Sequence, residues 1–199
     1  MLIFWKARLV LLAVPKTGTT AIEAALAPHA DAAIVNPPGL KHMGVRKWRR
    51  ELAPVFERGG RRPLETVAVM REPVDWLSSW WRYRSRPELD GQPNSTAGTT
   101  FDGFVTDYLS PGPPDRARVG SQAAFLEGGV DHLFRHDRPD AFLAFLSDRL
   151  NLTIAPGRAN VSPVRRADLS PDIAARLRRE RAADFALWEA LGEGPPDDG

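Results

Sequence analysis

The sequence predicts an α/β protein, built as one three-layer domain with a central, mostly parallel sheet flanked by helices. Three observations lead there. Short runs rich in Val and Leu alternate with segments of helical period, a pattern that implies parallel strands with covering helices. Two of those runs, Leu9 to Val14 and Glu65 to Met70, are each followed by a turn and then at once by a helical pattern. Finally, 199 residues of which 43% are hydrophobic allow one substantial core, but not two comfortable ones. The expected domain spans residues 1–191, and the breaker-rich GEGPPDDG at 192–199 reads as a flexible tail.

Taken in order, Leu9 to Val14 is a buried strand ended by Pro15, and Ile22, Ala25 and Leu26 recur at helical spacing in a helix from Thr19. A short strand at Ala32 to Val35 and a helix at Met43 to Leu52 follow. Thr66 to Met70 forms the next strand, and Val74 to Arg84 the next helix, with Pro73 suited to its first turn. Within that helix Trp76, Trp80 and Tyr83 form one stripe and Val74, Leu77 and Trp81 another; one is expected to face the core. Arg86 to Thr100 and Ser110 to Gly120 are loops, the first expected to be long and mobile, separated by a short helix at Phe101 to Leu109. A strand near Asp131 to Arg135 and helices at Pro139 to Leu150 and Pro171 to Leu191 complete the pattern.

The stretch VLLAVPKTGTTAIEAAL, Val10 to Leu26, carries the most chemistry. A strand runs into a tight turn holding Lys16 and Gly18, and a helix starts immediately. The unpaired N–H groups of the new helix and its macrodipole favour an anion over the loop, and Lys16 adds a full positive charge. The loop fails the nucleotide pattern G-x-x-x-x-G-K-[ST]: Lys16 precedes Gly18 rather than following a glycine. Its order, P-K-T-G-T-T, resembles instead the 5′-phosphosulfate loop of sulfotransferases, which take 3′-phosphoadenosine 5′-phosphosulfate (PAPS) as donor and release adenosine 3′,5′-bisphosphate (PAP). The fold is accordingly expected to be P-loop-like.

A second junction supports the resemblance. Arg71 ends the strand at Met70, and Ser79 lies about 9 Å along the following helix from Pro73. An arginine and a serine hydroxyl converging there can hold one phosphate. In the sulfotransferase family an arginine at the strand end and a serine eight residues later bind the donor's 3′-phosphate, and Arg71 and Ser79 match that spacing. The back half of the chain, VDHLFRHDRPDAFLAFLSDRL with ANVSP and a terminal helix, looks loosely like small bacterial and Golgi-type members.

The resemblance implies transfer of a sulfuryl group from PAPS to a hydroxyl or amine by in-line displacement, governed by positioning and electrostatics. Lys16 would neutralise charge on the departing phosphate, and Thr17, Gly18, Thr19 and Thr20 would cradle the 5′-phosphate. Arg165 and Arg166 are expected to close over the 3′-phosphate. No metal is called for. The acceptor needs a base, and His42, in LKHMGVRKW, is the candidate. Glu23 is the alternative, although Thr20 and Glu23 also have the spacing of a capping box. Lys41 could help to polarise the sulfate, and the spacing does not decide it. His29, His132 and His136 read as structural.

Composition narrows the classes. A formal charge of +2, from 27 Lys and Arg against 25 Asp and Glu, gives no argument for nucleic acid. The absence of cysteine removes disulfides and thiolate zinc sites and fits a reducing compartment. Lys6 and Arg8 interrupt the first apolar residues, so no membrane span or signal segment is expected there, and a cytoplasmic enzyme acting on a small molecule or glycan is. Two other readings stay open: a P-loop-type kinase using ATP and magnesium, and a non-catalytic module that binds PAP or another nucleotide.

Overall fold

The computed structural model describes residues 1–58, 62–154 and 167–192. Arg165, Arg166 and the tail from 193 onward lie outside the described residues. In chain order the elements are β1 (Leu2–Phe4), β2 (Leu9–Leu11), α1 (Thr19–Leu26), β3 (Ala32–Ala33), α2 (Pro38–Lys41), α3 (Val45–Lys47), α4 (Ala53–Glu57) and β4 (Glu65–Met70). They continue with α5 (Pro73–Arg84), α6 (Phe101–Tyr108), α7 (Gln122–Phe125), β5 (His132–Arg135), α8 (Pro139–Leu150), α9 (Pro171–Glu180) and α10 (Ala182–Ala190). They fall into two compact units. The first takes Met1–Arg71 and returns at Gln122; the second comprises Glu72–Ser121 and the segment that carries α9 and α10.

The first unit holds an open five-stranded sheet in the order β3-β1-β2-β4-β5. It is mixed. β1 runs antiparallel to both neighbours, with Leu2 opposite Leu11 on one side and Ala33 on the other. β2 and β4 are parallel, Leu9 beside Glu65, and so are β4 and β5, Val67 beside His132. The expectation of a mostly parallel sheet is therefore corrected, and β1 precedes the first strand read from the sequence. Met1 to Phe4 is wholly apolar and buried, and a tight turn at Trp5 to Arg8 folds it back on β2. That turn needs a left-handed residue and uses Arg8, at φ 54°, instead of the glycine or asparagine that would have announced a hairpin.

Alternation along the strands puts Leu2, Phe4, Leu9, Leu11, Val67 and Val69 into one cluster with Leu26 of α1 and Phe142 and Leu146 of α8. Ile3, Val10, Ala68 and Met70 occupy the other face and are equally buried, so the sheet is covered on both sides. At about 1.5–3 kcal/mol for each fully buried side chain of this size, α8 is held chiefly by Phe142 and Leu146. Its ends agree with the sequence reading: Pro139 opens it and Asn151, at φ 52°, closes it in the left-handed conformation. The helix expected at Met43 to Leu52 is instead α3 followed by a π-helical stretch, Trp48–Leu52, where Trp48 is buried and stacks on Phe56.

The base of the sheet carries an ion network that sets acid stability. Glu65 accepts from Arg149 (2.6 Å) and pairs with His132 (2.7 Å), and these two contacts hold its carboxyl down at about 2. The folded pKa lies below the ordinary 4.5, so this stabilisation is complete above pH 4.5 and is lost as pH falls toward 2. The Glu65 side chain is 43% exposed, and solvent screening keeps the contribution small. Arg149→Met is expected to flatten the fall in urea midpoint between about pH 7 and about pH 3. An unchanged acid profile would remove the network from the account.

In the second unit α5 supplies Trp76, Leu77 and Trp81 to a core shared with Phe101, Phe104, Val105 and Tyr108 of α6 and with Leu177 and Phe185. The stripe of Val74, Leu77 and Trp81 thus faces the core. So does Trp76, while Trp80 is partly buried and Tyr83 is exposed. The loop after α5 is fastened: Thr96 is fully buried, its hydroxyl donates to Trp81 O (2.6 Å), and the Trp81 indole donates to Thr99 O (2.8 Å). The helix expected over Pro171 to Leu191 breaks at Arg181, which leaves the helical backbone region while its guanidinium stacks on Tyr108 at 4.6 Å.

Candidate functional site

The segments that leave the carboxyl ends of β2, β4 and β5 meet within the first unit. The loop after β2 turns through two left-handed residues, Lys16 at φ 67° and Gly18 at φ 76°, on either side of Thr17. Gly18 supports that conformation freely, whereas Lys16 is strained in it, and strain of this kind collects at ligand-binding turns. Gly18 is the N-cap of α1, and no side chain caps the helix there. The first N–H groups of α1 therefore face the loop. Thr17 is buried and spends its hydroxyl hydrogen on Val14 O (2.9 Å), so it offers the loop its N–H rather than its hydroxyl. Thr19 is buried and Thr20 exposed at the start of the helix.

Arg71 reaches this loop directly. Its guanidinium donates to the Lys16 carbonyl (3.2 Å), and its backbone is clasped by one side chain. Gln122, only 1% exposed, accepts from Arg71 N–H (2.9 Å) and donates to Arg71 O (2.7 Å). A single carboxamide thus continues the strand's hydrogen bonding one residue past β4. Ser79 lies in the second unit, two turns into α5, and is buried at 4% exposure. Glu72 caps that helix by accepting from Asp75 N–H (2.7 Å).

His42 follows α2, and its Nδ1 lies 2.7 Å from Ala13 O, three residues before Lys16. A carbonyl only accepts, so Nδ1 carries the hydrogen and the neutral ring keeps its lone pair on Nε2. Burial pushes the His42 pKa below the usual 6.5, against the opposing pull of the Ala13 bond. At neutral pH the ring is uncharged with a basic nitrogen available. These are the properties of a proton acceptor.

Glu23 has a different part from the one its spacing suggested. The helix begins before Thr20, so no capping box forms. Its Oε1 accepts from the Met1 ammonium (2.7 Å) and its Oε2 pairs with Lys41 (2.7 Å), in a setting where the carboxyl is only 8% exposed. Burial opposes ionisation, but the two cationic donors outweigh it and hold the Glu23 pKa below the ordinary carboxylate value. Both carboxylate oxygens of Glu23 are thereby engaged in ion pairs, one of them with Lys41. The cluster ties α1 to the end of α2, next to His42.

His136, which the sequence marks as structural, lies beside the Lys16 loop. Its N–H donates to Met70 O (2.8 Å), which brings the end of β5 against the end of β4. Its ring Nε2 stands 3.7 Å from where a Cβ on Gly18 would be. The signal was its place directly after a parallel strand, where ligands of open α/β sheets gather. His29 is exposed at the end of a short turn, and His132 is bound to Glu65.

No family model, no curated protein and no solved structure matches this chain.

Proposed function

We propose that the chain is a PAPS-dependent sulfotransferase with a P-loop-like fold, and that the Lys16 loop receives the donor's 5′-phosphosulfate. The observation that carries the reading is the convergence of Lys16, the open N-terminus of α1 and the Arg71 guanidinium on one loop, with His42 anchored three residues upstream. This donor set fits a multiply charged anion: two cationic side chains, unpaired N–H groups and a helix dipole of the right sign. Lys16 offsets the charge that builds on the bridging oxygen, and the N–H groups of Thr17, Gly18, Thr19 and Thr20 hold the phosphate in place. Arg71 and Ser79 bind the 3′-phosphate, with Arg165 and Arg166 as later contributors. His42 Nε2 accepts the proton of the acceptor hydroxyl. The acceptor is a small molecule or glycan, and the expected setting is the cytoplasm. Among the described residues no helix is long and apolar enough to cross a membrane.

Isothermal titration with PAP beside ATP plus magnesium tests the donor assignment. PAP should bind in the micromolar range and ATP weakly. Arg71→Ala should weaken PAP by about 1.5–3 kcal/mol, the scale of a hydrogen bond to a charged group, and Lys16→Ala should weaken it too. Absence of PAP binding would sink the sulfotransferase reading. Tight ATP binding in its place would support the kinase, and PAP binding without transfer to any acceptor would leave the non-catalytic module.

A further inference from the structure

At the opposite end of β2 the turn from β1 holds a guanidinium with no hydrogen-bond partner among the described residues. Arg8 Nε, Nη1 and Nη2 are all screened from solvent. The residue as a whole is only partly buried. This inverts the usual behaviour of arginine, which covers its apolar stem and leaves its head group in water. A buried charge without a partner is among the most destabilising features a fold can carry, and an unsatisfied group of this kind calls for an ion or a ligand.

The backbone around Arg8 is firmly held in its left-handed conformation. Arg8 N–H donates to Trp5 O (3.3 Å), Glu65 N–H donates to Arg8 O (2.9 Å), and Arg149 donates to Ala7 O (3.3 Å). The second guanidinium therefore reaches the same turn. The carboxylate of that network, Glu65, is engaged by Arg149 and His132. Asp31 pairs with Lys6. Among the described residues Glu57 is a further carboxylate here, accepting from Leu64 N–H (2.8 Å), and none of these acids hydrogen-bonds the Arg8 guanidinium.

We propose that Arg8 is the recognition residue of a second anion site, distinct from the Lys16 loop, that takes a small phosphate-type oxyanion. A guanidinium fork matches two oxygens of such an ion, and a tetrahedral oxyanion offers further oxygens to the N–H groups around it. The residue is only partly buried, and binding requires a change of rotamer that presents the guanidinium to an incoming ion while the backbone bonds of the turn stay in place. The site is independent of the transferase reading.

The test uses the full chain carrying Lys16→Ala, so that the loop does not answer for the turn. Inorganic phosphate is titrated against acetate and chloride at matched ionic strength, reading the Arg8 Nε–H resonance, assigned by its loss in Arg8→Lys, and the thermal midpoint. Phosphate should shift the resonance saturably and raise the midpoint, and Arg8→Met should bind phosphate at least about tenfold more weakly. An unmoved resonance, or a thermal response kept in full by Arg8→Met, would overturn the site. A response to acetate alone would overturn the phosphate assignment. Should Arg8→Met fail to fold, the resonance of the Lys16→Ala chain decides by itself.

Discussion

Alanine at position 42 is expected to lower sulfuryl transfer by about 10²–10⁴-fold, the usual contribution of a positioned base, and to leave PAP affinity nearly intact. The separation follows from where His42 is held. Its ring is tied to the Ala13 carbonyl through Nδ1, so removing it takes away Nε2 without touching the Lys16 cation or the helix N-terminus. The pH profile provides a second reading of the same group. A base must be neutral, so kcat/KM should rise with pH through the His42 pKa, and burial places that midpoint below 6.5. The wild type should then keep its rate in mildly acidic buffer, and a residual rate in His42→Ala should lose that limb. A variant that turns over normally would return the proton to another acceptor.

Glu23→Ala should destabilise the fold by about 3–5 kcal/mol, because it leaves two ammonium groups facing a space that held their shared carboxylate. Against total stabilities of about 5–15 kcal/mol such a loss brings the native state close to unfolding at moderate temperature. The measurement is the urea midpoint of each variant. Glu23→Gln should lose less, since the amide keeps one acceptor oxygen. The linkage has a definite sign. The Glu23 pKa is held below its ordinary 4.5, so its stabilisation is present above that pH and fades as pH falls through the depressed folded value. Glu23→Gln should remove this part of the acid sensitivity. A Glu23→Ala chain within about 0.5 kcal/mol of wild type would mean that the cluster is solvated and structurally idle.

What could be read from the sequence follows the range of the interactions concerned. The strand at Glu65 to Met70, the helix from Pro73 and the helix Pro139 to Leu150 are set by local pattern and by prolines at first turns, and they stand where periodicity put them. β1 escaped because its pairing depends on a turn whose left-handed residue is an arginine. The π-helical stretch at Trp48 and the break at Arg181 escaped because tertiary contacts of Trp48 and Tyr108 override an otherwise helical period. Within the candidate site, the Lys16 turn and the strand end at Arg71 were legible as strand-loop-helix junctions. Glu23 was misread because its partners, Met1 and Lys41, are remote in sequence while the capping box is local. The proximity of His136 to Gly18 was not legible, because the two lie far apart in sequence.

The Gln122 clasp on Arg71 gives the chain a narrow neck. The polypeptide leaves at Arg71 and is back at Gln122, and one amide side chain bonds both polar groups of the departing residue. Everything from Glu72 to Ser121 is thus an excursion sealed at its base. The entropy of closing such a loop grows slowly, by about 0.6 kcal/mol for each doubling of length. The clasp itself sets no length for the excursion, whereas α5 and α6 within it are tied by their shared core to Leu177 and Phe185 of α9 and α10. The Arg71 guanidinium would keep its post beside Lys16 throughout, and replacing Gln122 would be the quickest way to unfasten it.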